Sequence, residues 1–367
     1  MGGLLMYCIG LDIGGTKCAA TLGKLSDGIE IIDKERFATA GLTPTEVLEH
    51  FASFIADKTA EYEISGIGIS CGGPLDGRRG IILSPPGLPG WDNIEIVDYF
   101  TSRFGIPTRL CNDADACAVA EWKYGAGKGC DNVVFLTFGT GFGAGLILGG
   151  RLYRGANDNA GEIGHVRLTR SGPVGYRKAG SCEGYCSGAG IARLAAIMAK
   201  NKRFEADYER FTAESGGETT AKTLAEGARK GNGFCRAVYR KSGEMLGRTL
   251  SIIVDLLNPE RIIIGGVFMR SGELLLPYAE KVMKKECLPF SLGCVKIVRA
   301  GLGENVGDYA ALAVSQGDFQ NEGFHFNHSR RAYRTLSRFI GRAQKHFIGI
   351  RNHLDRIRKR QQTAGVR

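Results

Sequence analysis

No apolar stretch in this sequence reaches the ~18 residues that a membrane-spanning helix needs, so no such span is expected. The first ten residues carry no basic cluster and no small-residue cleavage pattern. Their apolar run passes straight into Asp12, which reads as a strand and not as a secretory leader. A disulfide framework is missing as well. The 11 cysteines are odd in number and scattered through apparent strands and helices, among them Cys8, Cys18, Cys71, Cys111 and Cys117. That usage fits reduced thiols acting as small hydrophobes, hence a cytoplasmic protein. The pattern G-x-x-x-x-G-K-[ST] is absent, which excludes a P-loop enzyme. Gly139-x-Gly141-x-x-Ala144 formally matches the dinucleotide fingerprint, but it opens an apolar strand where that fingerprint must open a helix.

What is abundant is glycine. There are 54 glycines in 367 residues, about twice the usual ~7% share. Many tight turns or close approaches of backbone to a ligand are implied. The length allows two domains with ample core. The net charge of +10 is localised: from Asn321 to Arg367 twelve basic residues face two acids, which accounts for all of it. Four of the six histidines lie in the same stretch.

Two segments share one pattern. From Tyr7 to Leu22 an apolar strand, a glycine turn and a second apolar run follow each other, with a further extended stretch at Ile29 to Ala38. From Val133 to Leu148 the order repeats, with its extended stretch at Arg151 to Tyr153. A duplicated β-meander with helices between predicts an α/β protein of two similar domains facing each other. Helices are predicted over 45–61, opened by Thr43-Pro44, and over 115–124, 188–200, 236–257 and 307–315. Strands are predicted over 64–70, 108–111 and 261–264. Ser84 to Asn93 is too rich in proline and glycine to be anything but a loop.

Three glycine turns follow buried strands: Asp12-Ile13-Gly14-Gly15-Thr16-Lys17, Gly139-Thr140-Gly141-Phe142-Gly143, and Gly265-Gly266. Turns without Cβ atoms let backbone N–H groups face phosphate oxygens. Thr16, Thr140 and Lys17 add donors and charge. One such turn is an ordinary hairpin; three, two of them in repeated segments, favour a nucleotide. Asp12 beside the first turn suits Mg²⁺, directly or through water, or else it caps its own turn. Asn112-Asp113 sits between a strand and a helix, where open α/β sheets bind ligands. Asp113 is either a base that takes a hydroxyl proton during phosphoryl transfer or an N-cap. Glu162 and His165, in a loop entered through Gly155-Ala156-Asn157-Asp158, pair an acceptor with a donor suited to sugar hydroxyls.

These stretches, together with Gly72-Gly73-Pro74-Leu75-Asp76 and Gly161-Glu162-Ile163-Gly164-His165, occur in the order seen in ROK sugar kinases, which the sequence resembles from about Tyr7 to Ser315. The resemblance implies a duplicated actin-like (ribonuclease H-like) ATPase fold with ATP and sugar in a cleft. It implies an N-terminal domain over 1–118, a larger one over 119–300 and a closing helix over 301–320, with the basic extension over 321–367. It implies Asp113 as catalytic base, with Gly73, Asn112, Glu162, His165 and Glu183 on the sugar. Asp12, Gly14, Gly15, Thr16, Lys17, Thr140, Gly141 and Gly143 would lie at the phosphates and Mg²⁺, and Gly265 and Gly266 at the nucleoside. A homodimer is expected. Many members bind a structural zinc through C-x-C-G-x-x-G-C and the loop histidine. Here Val174, Tyr176, Arg177, Gly180 and Ser181 stand at the matching positions, and Cys182 and Cys186 fall in another register. No zinc is therefore expected.

Glucose is the expected sugar, with N-acetylglucosamine, N-acetylmannosamine, allose and fructose as alternatives; Trp91 or Asn93 would help shape the pocket. A sugar-responsive repressor of the same family is the other reading. It would need some 70 residues ahead of the first turn, and only eleven precede Asp12. In the tail, residues from Tyr333 to Ile357 form a heptad-like apolar stripe opposite a basic face. A loosely attached helix or a stretch under little selection is preferred there over a helix that binds nucleic acid, an anionic surface or a partner.

Overall fold

The computed structural model describes residues 5–317, and every statement below concerns those residues. The chain begins with the antiparallel meander β1 (Met6–Ile13), β2 (Lys17–Leu25) and β3 (Ile29–Ala38). Helix α1 (Pro44–Glu61) follows. Its start is fixed by a capping box: Thr43 Oγ1 accepts the Glu46 N–H, and Glu46 Oε2 accepts the Thr43 N–H at 2.7 Å. The predicted apolar face of Val47, Leu48, Phe51, Phe54 and Ile55 is buried. Strand β4 (Ile64–Cys71) returns in parallel beside β1. A small antiparallel sheet of β5 (Leu75–Asp76), β6 (Ile81–Leu83) and β7 (Asp92–Ile94) leads through α2 (Ile96–Phe104) to β8 (Thr108–Asn112), parallel to β4. The sheet order is β3-β2-β1-β4-β8.

Helix α3 (Asp113–Tyr124) connects to the repeat, where β9 (Val133–Phe138) and β10 (Phe142–Ile147) pair antiparallel. The excursion beyond them contains the short hairpin β11 (Val174–Gly175) and β12 (Lys178–Ala179). It continues through helices α4 (Cys182–Cys186), α5 (Gly188–Met198), α6 (Glu205–Glu214), α7 (Ala221–Arg229) and the long α8 (Gly233–Leu257). Strand β13 (Arg261–Ile264) then pairs in parallel with β9. Helices α9 (Val267–Glu286) and α10 (Pro289–Cys294) precede β14 (Lys296–Arg299), parallel to β13, and α11 (Val306–Val314). This sheet has the order β10-β9-β13-β14. In both sheets an antiparallel hairpin is extended by parallel strands on the side of its first strand, so the repeat read in the sequence is structural.

Helix α11 shows what many glycines are for. A Cβ on Gly68 would sit 2.0 Å from the Ala311 carbonyl oxygen, and one on Gly10 would sit 2.8 Å from the Leu312 nitrogen. Only bare backbone on β1 and β4 lets the small-residue face of α11 lie this close. Glu121, fully buried in α3, holds the approach to α11 from the other end. Its carboxylate accepts the N–H groups of Ala126, Gly301 and Leu302 at 2.7, 2.9 and 2.9 Å, so the buried charge is satisfied.

Three expectations need correction. The third strand of the repeated segment, 151–153, is reduced to one bridge between Ile147 and Leu152. The proline-rich loop contains the start of a strand at Asp92. Helix α3 starts at Asp113, because Asn112 supplies its cap. No described helix is long and apolar enough to cross a membrane. The basic extension from Asn321 lies outside the described residues.

Candidate active site

The ends of β8 and of the β9–β10 turn open on one cavity of about 740 Å³, a size that suits a small ligand. Strand β8 delivers Asn112 and α3 begins at Asp113. Asn112 Oδ1 and Asp113 Oδ1 both accept the Ala114 N–H, at 2.9 and 2.8 Å. Asn112 takes the cap position, and Asp113, the first helical residue, shares the Ala114 N–H with it while lining the cavity. The residue is exposed on the cavity side, yet desolvation by the protein around it raises its pKa, while the N–H groups of Ala114 and of Asp113 itself pull part of the way back.

Facing Asp113 are residues from the other sheet and its excursion. Glu162 precedes a single 3₁₀ turn that His165 ends, and the two approach each other to 3.8 Å. Burial raises the Glu162 pKa, His165 opposes this, and Asp113 and Glu183 reinforce it, so the carboxylates share one electrostatic environment. Glu183 stands in the first turn of α4, and its Oε2 accepts the Phe142 N–H at 3.2 Å. Glycine at 141 permits this, since a Cβ there would lie 3.0 Å from that oxygen. Gly73, Thr140, Gly141 and Gly143 complete the sequence-predicted residues on the cavity wall.

The first glycine turn lies apart from these walls. Gly15, Thr16 and Lys17 are exposed, and a Cβ on Gly15 would meet the Gly87 carbonyl oxygen at 2.3 Å. Thr39 pins the turn: its Oγ1 donates to the Gly14 carbonyl at 2.7 Å, and its N–H donates to the Thr16 carbonyl at 3.0 Å. Asp12 at the end of β1 is pushed up to about 6, first by burial and then by the Asp113 and Asp308 carboxylates, against a Ser70 hydrogen bond and Lys34. A carboxylate so placed would be relieved by a cation, so the residues fit a magnesium ion holding several of its own waters. Gly266 and Thr140 share a second cavity of about 470 Å³ with Thr220, Lys222 and Arg270, while Gly265 lines neither.

The proline-rich loop behaves differently from expectation. Trp91 is buried in the core around β1 and α1, and Asn93 is exposed. Neither lines the cavity; Pro86 does. The indole is simply too apolar to leave at a loop tip when a core lies beneath it.

Sequence reasoning missed a buried ion cluster behind the cavity. The Arg154 guanidinium donates to the Leu110 carbonyl at 3.2 Å, and its Nε lies 3.1 Å from Asp158 Oδ1, at an angle too bent for a hydrogen bond. Asp158 Oδ2 accepts the Gly77 N–H at 2.7 Å. Asp115, pushed up to about 8 by burial against the pull of Arg154, completes the group. The only signal was Asp158 at the entrance of the loop. Thr220, Lys222 and Arg270 carried none, since they come from distant loops and helix starts.

The residues do not fit a structural zinc. Cys182 and Cys186 are fully buried, with Cys182 Sγ 2.9 Å from Thr249 Oγ1 and the Cys186 thiol against the Ser242 carbonyl. Burial pushes the Cys186 pKa well up, away from the thiolate that zinc requires. Among the described residues no three of His, Cys, Asp and Glu are grouped to hold a metal.

The profile of the ROK family matches residues 8–317. A glucokinase of Thermotoga maritima is 31% identical over 311 residues, 83% of this chain and 96% of that protein. The crystal structure of a ROK family glucokinase from Streptomyces griseus in complex with glucose and AMPPNP superposes with a TM-score of 0.68 at 29% identity, covering 85% of this chain and 99% of that one. The DNA-binding transcriptional dual regulator NagC of Escherichia coli is 28% identical over 308 residues, 81% of this chain and 72% of that protein.

Proposed function

The chain belongs to the ROK family, whose sugar kinases share its actin-like, ribonuclease H-like fold, and from that premise we propose that it is an ATP-dependent hexose kinase acting on glucose. The observation that carries this reading is Asp113, set just after the Asn112 cap and opening on the same cavity as Glu162, His165 and Glu183. Asn112, Gly73, Glu162, His165 and Glu183 position the sugar. Asp113 takes the proton of the attacking hydroxyl as its oxygen bonds to phosphorus and the bond to ADP breaks. Its raised pKa suits that work, since a carboxylate more basic than usual is a better proton acceptor.

The glycine turns receive the nucleotide. Gly15, Thr16 and Lys17 on one side, and Thr140 and Gly141 on the other, face the phosphates, while Gly14 and Gly143 shape the turns and donate their N–H groups to the Lys17 carbonyl and the Thr137 hydroxyl. Gly265 and Gly266, with Thr220, Lys222 and Arg270, lie toward the nucleoside. Asp12 is the residue that would hold Mg²⁺, which offsets phosphate charge when bound.

The test is ADP release, coupled to a chromogenic reporter, across glucose, N-acetylglucosamine, N-acetylmannosamine, allose and fructose. Glucose is expected to give the highest kcat/KM. Asp113→Asn is expected to lower kcat by about 10²–10⁴-fold. Turnover near that of the wild type in this variant would sink the mechanism, and silence on all five sugars would sink the kinase reading.

A further inference from the structure

The hairpin β11–β12 is unusual in its turn. Gly175 pairs with Lys178, so the loop is the two residues Tyr176 and Arg177. Both have positive φ, 40° and 65°. Two-residue hairpins need this backbone, and it is normally supplied by Asn-Gly or Gly-Gly, because a side chain crowds the left-handed region. A tyrosine and an arginine are poor choices for the turn alone. Strain of this kind persists only where surrounding contacts fix it, and it concentrates at binding sites.

The contacts are present. Lys178 Nζ donates to the His165 carbonyl at 2.8 Å, and an Arg193 guanidinium nitrogen donates to the Val174 carbonyl at 2.6 Å. A Cβ on Gly175 would sit 2.5 Å from the Gly184 nitrogen, so the hairpin is pressed against the helix that carries Glu183. What the turn achieves is the placement of one ring. Tyr176 is 59% exposed, lines the cavity, and meets the His165 imidazole edge to face at 4.9 Å and 82°. An aromatic side chain left in the open at the rim of a polar pocket has no packing reason to be there.

We propose that Tyr176 is a sugar-binding, specificity-setting residue, whose ring covers an apolar C–H face of the bound hexose and fixes the His165 imidazole. The strained hairpin thereby holds the His165 loop by packing and by the Lys178 hydrogen bond. A hexopyranose offers a flat patch of ring hydrogens between its hydroxyls, and an aromatic face complements it while the carboxylates take the hydroxyls. The inference rests on the sugar-kinase reading.

The experiment uses the full chain. Glucose affinity is measured by calorimetry, kinetics are measured for both substrates, and metal content is measured by elemental analysis. Tyr176→Ala is expected to weaken glucose binding and raise its KM about tenfold, the loss expected for one aromatic contact. Its kcat and ATP KM should stay within about twofold, and its melting temperature should stay near that of the wild type, because the ring is exposed and alanine keeps the same backbone demand. Tyr176→Phe should restore wild-type sugar affinity, since the ring and not the hydroxyl is needed. A chelator should leave glucose affinity unchanged. Unaltered glucose affinity in Tyr176→Ala would overturn the proposal, as would stoichiometric zinc whose removal weakens sugar binding. A wild-type chain that neither binds nor phosphorylates any hexose would overturn the kinase reading and this inference with it; a competent wild type matched by Tyr176→Ala overturns this inference alone.

Discussion

The two repeated segments have the same backbone plan and different chemistry. The first hairpin turn, Asp12 to Lys17, carries charge of both signs, and its sheet ends at Asn112 and Asp113. The second, Gly139 to Gly143, carries none; Glu183 is brought to it from α4. The third strand differs too. In the first copy β3 runs for ten residues along β2. In the second the same position is a single bridge at Leu152. Losing that strand is what frees residues 153–165 to turn inward, carrying Glu162 and His165 to the cavity. The Arg154–Asp158 pair and the Gly77 N–H hold the loop between its two backbone hydrogen bonds to β10, Tyr153 N–H to the Leu146 carbonyl and Ala144 N–H to the Gly161 carbonyl. The repeat supplies two glycine turns, and its difference at one strand supplies the loop that carries Glu162 and His165.

This contrast can be broken by mutation. The largest effect should come from the charged turn. Asp12→Asn is expected to lower turnover by about 10²–10³-fold, as when one charge-stabilising group is removed, and to raise the Mg²⁺ concentration needed for half-maximal rate. Steady-state kinetics at varied Mg²⁺ measure both; a loss smaller than that of the uncharged turn would undo the asymmetry. Next is the loop that replaces the strand. Arg154→Ala leaves Asp158 buried without its partner and should cost about 3 kcal/mol in urea unfolding. Adding Asp158→Asn should return part of it, and a loss below about 1 kcal/mol would mean the loop is held by other contacts.

Asp115 offers a pH signature of the same cluster. Its folded pKa of about 8 lies above the ordinary 3.8. Between those values the folded chain binds more protons than the unfolded chain. The stability contribution is therefore full below pH 3.8 and is lost as pH rises toward 8, by at most about 1.4 kcal/mol per pH unit. Asp115→Asn should flatten that decline in denaturation curves taken from pH 5 to 9; an unchanged slope assigns it to another group. The smallest effect belongs to the uncharged turn. Thr140→Ala removes one neutral hydroxyl from the wall between the two cavities and should raise the ATP KM by less than about tenfold.

Much of this was legible before the fold. Strand periodicity located β1, β3, β4, β8, β9, β10 and β13 within a residue or two and ended β2 three residues early, because buried strands leave continuous apolar runs that turns interrupt. Thr43-Pro44-x-Glu46 announced a helix start because its hydrogen bonds are local. Asp113 was found because its neighbours in sequence are its neighbours in space. Trp91 was misread because an aromatic residue in a proline-rich loop gives no sign of which side it faces.

The sequence by itself determined the repeat, the three glycine turns, the Asn112-Asp113 step and the family they belong to, all features set by short-range stereochemistry or by ordered motifs. Folding settled that Asn112 takes the cap position of α3, that Glu183 reaches across to the Phe142 amide, that Arg154 and Asp158 anchor the loop ahead of Glu162, and that a strained Tyr176 stands over His165. These depend on groups far apart in the chain meeting in one place. No local pattern records such a meeting, because burial, close approach and electrostatic neighbours exist only once the chain has closed on itself.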